Sequence, residues 1–179
     1  EGMSFKVHFK GDKESYDFTT RLLGEANVYN ILAGIAVAKE LGLTISQLQQ
    51  GVLKIKPIEH RLQMKRNGNI TYIDDAYNSN PSGAKGALEV LSLMDGDKCV
   101  VTPGMIELGE KEYDLNKQFG IYISEVADYV ILVGEKQTKP ILDGLKEKKY
   151  NEQNLIVLND VKEAFSIINK MKSKEKHTY

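Results

Sequence analysis

Ile73-Asp-Asp-Ala-Tyr-Asn-Ser-Asn-Pro81 is the stretch on which the reading of this chain turns. An apolar strand pattern from Ile70 to Ile73 stops at two carboxylates, Asp74 and Asp75. A polar loop follows, and Pro81 then opens a helical pattern with Ala84, Ala87, Leu88 and Leu91 on one face. Proline suits the first helical position because the N–H it lacks has no intrahelical partner there. Asn80, just before it, suits the cap, where a side-chain oxygen accepts a first-turn N–H. Strand, polar loop and capped helix in succession are the repeating unit of a parallel α/β sheet.

The same unit recurs towards the C-terminus. Asp95-Gly96-Asp97 turns the chain into a strand around Val100. Phe119, Tyr122, Ile123 and Val126 mark a helix, and Tyr129 to Val133 is a continuous apolar strand of the kind buried on both faces. Ile141, Leu142 and Leu145 mark a further helix, followed by an apolar strand from Leu155 to Leu158. Asp160 with Glu163 can cap a last helix carrying Val161, Phe165 and Ile168. Four apolar strands separated by helices predict an α/β fold: a Rossmann-like, mainly parallel sheet with right-handed crossovers and helices on both faces. The charged run from Lys172 to Tyr179 has no apolar strand after it, which leaves open whether the last strands of this domain lie within the chain.

Towards the N-terminus the rhythm differs. Phe5, Val7 and Phe9 alternate with Lys6, His8 and Lys10, and Tyr16 and Phe18 continue the alternation past Gly11-Asp12, as in a β-hairpin. Val28, Ile31, Leu32, Ile35 and Ala38 carry helical spacing from about Asn27 to Leu41, with Gly42 placed to end the helix. Thr44 and Gln47 form a capping box for a shorter helix to about Leu53. Lys54-Ile-Lys-Pro57 reads as a linker, so the chain divides into residues 1–56 and 57–179.

Bulk properties narrow the function. A net charge of -1 gives no reason to expect nucleic acid or an anionic membrane as partner. No apolar run reaches the roughly 20 residues that span a bilayer, and the opening residues lead into a strand pattern rather than a leader. The lone cysteine, Cys99, sits in a strand pattern and fits a reducing compartment. His8, His60 and His177 are scattered, without metal-ligand spacing.

Parallel sheets bind ligands beyond the carboxyl ends of their strands, and two loops there carry polar chemistry. Asp74 to Asn80 holds two carboxylates, two asparagines and a tyrosine beside a helix N-terminus, which suits a ribose or a peptide carboxylate; an Asx turn with an Asn80 cap needs no ligand. Thr102 to Gly109 brackets Glu107 with glycines, and Gly104 permits close backbone approach, though a plain strand-to-helix turn would look the same. Arg61, after His60 at the linker, could grip phosphate with a fork of donors or make a surface ion pair. Asn27 and Asn30 share a helix face and could read an adenine edge, or Asn27 could be a simple N-cap. No Gly-x-x-x-x-Gly-Lys-Ser/Thr run occurs, so a phosphate-gripping loop, if the protein uses one, lies elsewhere.

In this order and spacing the segments resemble the Mur ligases. Gly24-x-x-Asn-Val-x-Asn30 is similar to a motif near the end of their central domain, and His60-Arg61 to the junction with their third domain. Asp74-Asp-Ala-Tyr-Asn-Ser-Asn-Pro81 and Gly104-Met-Ile-Glu-Leu-Gly109 resemble the first- and second-strand loops of that domain, in the form of the members that add D-alanyl-D-alanine. Ala26 stands where the family usually has histidine. The resemblance implies a cytoplasmic, monomeric, ATP-dependent amide ligase of peptidoglycan precursor synthesis. Such an enzyme joins D-alanyl-D-alanine to UDP-N-acetylmuramoyl-tripeptide through an acyl phosphate. It also implies that residues 1–56 are the end of the central domain, with the phosphate loop and the Mg2+ ligands outside this chain. By the same resemblance Asn27, Asn30, His60, Arg61 and Asp75 would face ATP, and Asn78, Asn80 and Glu107 the dipeptide. A folylpolyglutamate or cyanophycin-type ligase shares this architecture, and a binding module without chemistry of its own remains a third reading.

Overall fold

The computed structural model describes residues 2–77, 79–170 and 177–178. Two compact units emerge, Glu1–Gln63 and Met64–Tyr179.

In the first unit, strands β1 (Met3–His8) and β2 (Ser15–Thr20) pair antiparallel from Met3↔Thr20 to His8↔Ser15. The register sets Phe5 opposite Phe18, whose rings stack 5.8 Å apart. Helices α1 (Glu25–Glu40) and α2 (Ile45–Lys54) cover the apolar face, where Val7, Phe18, Ile31, Ile35, Leu48 and Val52 are buried together. The capping box is present: Gln47 N–H donates to Thr44 Oγ1, and Gln47 Oε1 accepts the Thr44 N–H at 2.9 Å. Gly42 takes φ +88° and Leu43 N–H returns to the Ala38 carbonyl, closing α1 as its glycine foretells. The N-cap of α1 is Gly24, so the reading of Asn27 as a cap is not met.

The second unit opens with a strand absent from the sequence reading. β3 (Gln63–Asn67) lies next to β4 (Ile70–Asp74) at one edge of a six-stranded sheet of order β3-β4-β8-β5-β6-β7. Its Met-Lys-Arg-Asn residues show no apolar alternation because an edge strand packs weakly and carries charge against mispairing. After β4 come α3 (Pro81–Ser92), β5 (Asp97–Thr102), α4 (Glu112–Val126), β6 (Tyr129–Val133), α5 (Glu135–Glu147), β7 (Leu155–Leu158), α6 (Val161–Lys170) and β8 (His177–Thr178). The pairs β4–β8, β8–β5, β5–β6 and β6–β7 are all parallel, as the strand–helix alternation predicts. β8 is also new: a short polar strand near the end of the charged run, inserted between β4 and β5.

Both faces of the sheet are covered. Val100, Val130 and Leu132 pack with Leu88 of α3, Phe119 and Ile123 of α4, and Ile141 and Leu145 of α5. On the other face Ile70, Cys99 and Ile131 pack with Ala164 and Ile168 of α6. This shifts the phase expected for α6: Ala164 and Ile168 are buried, whereas Val161 and Phe165 are exposed. A small alanine lets the helix approach the sheet where a phenylalanine would hold it off. Helices α4 and α5 meet through two glycines. A Cβ on Gly120 would collide with the Ile141 carbonyl, and one on Gly144 with the Lys117 carbonyl.

Candidate functional site

Two loops leave the carboxyl edge of the sheet. At the first, Asp74 ends β4 and its carboxylate lies 2.7 Å from Lys65 Nζ on β3, with the side chain 19% exposed. Its other oxygen accepts the Ala76 N–H at 3.4 Å. One of the two carboxylates thus pins the β3–β4 pair and shapes the loop. Asp75 follows, half-buried. Asn80 Oδ1 accepts the Gly83 N–H at 2.9 Å, with Pro81 in the first turn, so α3 begins as the sequence foretells. Its exposed cap directs the positive end of the helix dipole into this loop. Asn78 lies outside the described residues.

The second loop, after β5, is held from beneath by a residue that the sequence reading missed. Asn116, 1% exposed, accepts the Met105 N–H on Oδ1 at 2.8 Å and donates through Nδ2 to the carbonyls of Met105 at 2.8 Å and Glu112 at 2.9 Å. Thr102 Oγ1 accepts the Gly104 N–H at 3.0 Å. Gly104 takes φ +83°, and a Cβ there would stand 3.0 Å from Asn116 Oδ1, so close approach to this clamp is what the glycine serves. Above the clamp Glu107 is exposed at φ +64°, a left-handed backbone unusual for its residue type. Thr102-x-Gly104 was a local signal for this turn; a buried asparagine fourteen positions past Thr102 was not, since its role depends on tertiary packing.

The remaining candidates belong to the first unit. Asn27, half-buried, spends its amide nitrogen on the Leu23 carbonyl at 2.7 Å, fastening the entry to α1. Asn30 is exposed one turn later. His60 and Arg61 are exposed, and the residues on either side of Arg61 are both left-handed, His60 at φ +60° and Leu62 at φ +48°. Strained backbone of this kind gathers at functional junctions. Cys99 is buried and its thiol is pushed up to about 12 by desolvation, which removes it as a nucleophile. Among the described residues no group of three or more histidine, cysteine or acidic side chains could hold a metal ion, and no helix is long and apolar enough to cross a membrane.

Residues 60–177 match the family described as Mur ligase, glutamate ligase domain. The chain belongs to the Mur ligase family. It is 32% identical over 127 residues to the UDP-N-acetylmuramoyl-tripeptide–D-alanyl-D-alanine ligase of Bacillus subtilis, an alignment covering 69% of this chain and 27% of that protein. Its fold matches the MurF structure from Acinetobacter baumannii with a TM-score of 0.83 at 23% identity, over 98% of this chain and 38% of that one. The MurF ligase of Thermotoga maritima, solved in complex with ADP, matches with a TM-score of 0.76 at 19% identity, over 98% of this chain and 41% of that one. This Mur ligase chain spans about a third of the curated relatives it matches. The α/β fold of its second unit is that of these ligases. Within that fold, the Asp74–Asn80 and Thr102–Gly109 loops share the carboxyl edge where such sheets take ligands.

Proposed function

We propose that the protein to which this chain belongs is a cytoplasmic ATP-dependent amide ligase of peptidoglycan precursor synthesis, joining D-alanyl-D-alanine to UDP-N-acetylmuramoyl-tripeptide. The carrying observation is the pair of loops at one sheet edge: Asp74–Asn80 ending in a capped helix, and Thr102–Gly109 clamped by Asn116. Both loops resemble, in residue order, those of D-alanyl-D-alanine-adding members, and similarity to the Bacillus subtilis enzyme supports the same substrate.

ATP would supply the phosphoryl group that activates the tripeptide carboxylate. This chain's share of that work is positioning and charge neutralisation. Arg61, exposed between two left-handed residues, suits a phosphate, with His60 beside it. Asp75, at the carboxyl end of β4, suits the ribose. Asn27 and Asn30 would lie towards the adenine, with the Asn27 carbonyl oxygen as the group to read it, since its nitrogen is engaged by Leu23. Asn78, Asn80 and Glu107 would contact the dipeptide. By the family resemblance, magnesium would be held by residues outside this chain.

The test is phosphate release by the full-length enzyme with UDP-muramoyl-tripeptide, in its lysine and diaminopimelate forms, with and without D-alanyl-D-alanine. Release that needs both substrates, with a pentapeptide product by mass, is the expected result. Release driven instead by a glutamate or alanine acceptor would replace the substrate assignment and keep the ligase.

A further inference from the structure

We propose that the cleft between α3 and α4 is the subsite for the carboxylate end of the dipeptide, with Lys85 as its anchor; this rests on the substrate reading above. A cavity of about 260 Å³ opens there. Met105, Leu115 and Phe119 give it an apolar floor, and Lys85, Gln118 and Tyr122 line it with polar ends. Leu115, Gln118, Phe119 and Tyr122 are spaced three, four and seven apart, which puts them on one face of α4. Lys85 stands one turn into α3, directly behind the Asn80 cap, and Met105 is the residue that Asn116 clamps in the second loop. The cleft therefore shares a wall with each of the two candidate loops.

Its chemistry is selective. Lys85 is the one charged residue among the described residues lining the cleft. Its ammonium lies 5.8 Å from the Tyr122 ring centroid and 3.9 Å from Glu89, a long contact between side chains more than half exposed. That loose hold leaves the cation able to turn to a carboxylate. The first turn of α3, which also borders the cleft, adds the positive end of a dipole. A ligand matching this surface is small, carries one carboxylate, and presents methyl-sized groups to an apolar floor. D-alanyl-D-alanine has that composition. An acceptor with a second acidic side chain, such as glutamate, would press a second charge against Met105 and Phe119.

The experiment titrates the full-length enzyme, carrying 13C at methionine methyls and tyrosine rings, with D-alanyl-D-alanine and with its C-terminal amide. The expected result is movement of the Met105 and Tyr122 signals by the dipeptide. Affinity should fall about tenfold or more for the amide, and equally for Lys85→Met with the free acid, the size of one charge-assisted hydrogen bond. Lys85→Arg should restore most of it. Lys85 is exposed, so a thermal melt of each variant should match the parent and remove misfolding as an explanation. Equal affinity for acid and amide, or movement of the Tyr77 signal without movement at Met105 or Tyr122, would overturn the subsite. So would no movement at saturating dipeptide. The substrate reading is judged apart from this: dipeptide-dependent phosphate release with an unchanged dipeptide KM in Lys85→Met sinks the subsite alone, whereas no release sinks the reading beneath it.

Discussion

Replacing Asn116 by alanine should be among the most damaging single changes in the second unit. The side chain is fully buried and joins α4 to the loop after β5 through three hydrogen bonds of 2.8–2.9 Å. Alanine leaves the Met105 N–H and the Met105 carbonyl without that partner in a closed interior, and each stranded group costs about 1–3 kcal/mol. The Glu112 carbonyl belongs to the helix ladder and loses less. The expected loss is about 3–5 kcal/mol, or roughly 10 °C or more in the melting temperature of a domain this size. Calorimetry is the suitable readout, because the sequence holds no tryptophan and the two units need not melt together. Asn116→Asp sharpens the test. It keeps an acceptor for Met105 N–H but turns a carboxylate towards two carbonyls. The aspartate should therefore take up its proton more readily when folded than when unfolded, and the variant should gain stability as pH falls through that raised value. An alanine variant within about 1 kcal/mol of the parent would refute the clamp, as would an aspartate variant with no pH response.

Other outcomes follow from the same structure. Gly144→Ala drives a methyl into the Lys117 carbonyl and should cost at least the ~1–3 kcal/mol of an overpacked core, read by urea denaturation; an unchanged midpoint would contradict the helix contact. Asn80→Ala should lose about 0.5–2 kcal/mol with the Gly83 hydrogen bond, and Asn80→Asp far less, in thermal melts run beside any activity assay. In the full-length enzyme Arg61→Ala should raise the KM for ATP and slow turnover; normal kinetics would remove Arg61 from the nucleotide site. Cys99, with its thiol pushed up to about 12 by burial, should resist iodoacetamide at pH 8 in the folded chain and react once it is unfolded in urea.

What the sequence made legible was mostly local. Asn80, Pro81 and Gly83 form a cap whose donor and acceptor lie within four residues, and Thr44 with Gln47 forms another. β6, Tyr-Val-Ile-Leu-Val, announced itself because burial on both faces selects a continuous apolar run. Features set by distant partners stayed hidden. β3 reads as a charged loop until β4 lies beside it, and β8 is two polar residues whose partners are about 80 to 107 positions away. In α6 the pattern offered two apolar stripes, and only the sheet selects Ala164 with Ile168 over Val161 with Phe165. At the candidate site, the loop residues could be named from sequence. Asn116 and Lys85 could not, because one depends on what lies above it and the other on what lies across a cleft.

Gly120 and Gly144 have a consequence for how this domain can diverge. At each position the obstacle to a side chain is the backbone of the other helix, the Ile141 carbonyl in one case and the Lys117 carbonyl in the other. A clash with a neighbouring side chain can be relieved by trimming that neighbour, so a second-site change can rescue it. A clash with a main-chain carbonyl offers nothing to trim: relief requires sliding one whole helix along the other. Each glycine thus closes off its own position and the usual single-step escape routes around it. Suppressors of a bulky residue there should fall in the segments that let α4 or α5 shift as a body, not among the side chains in contact.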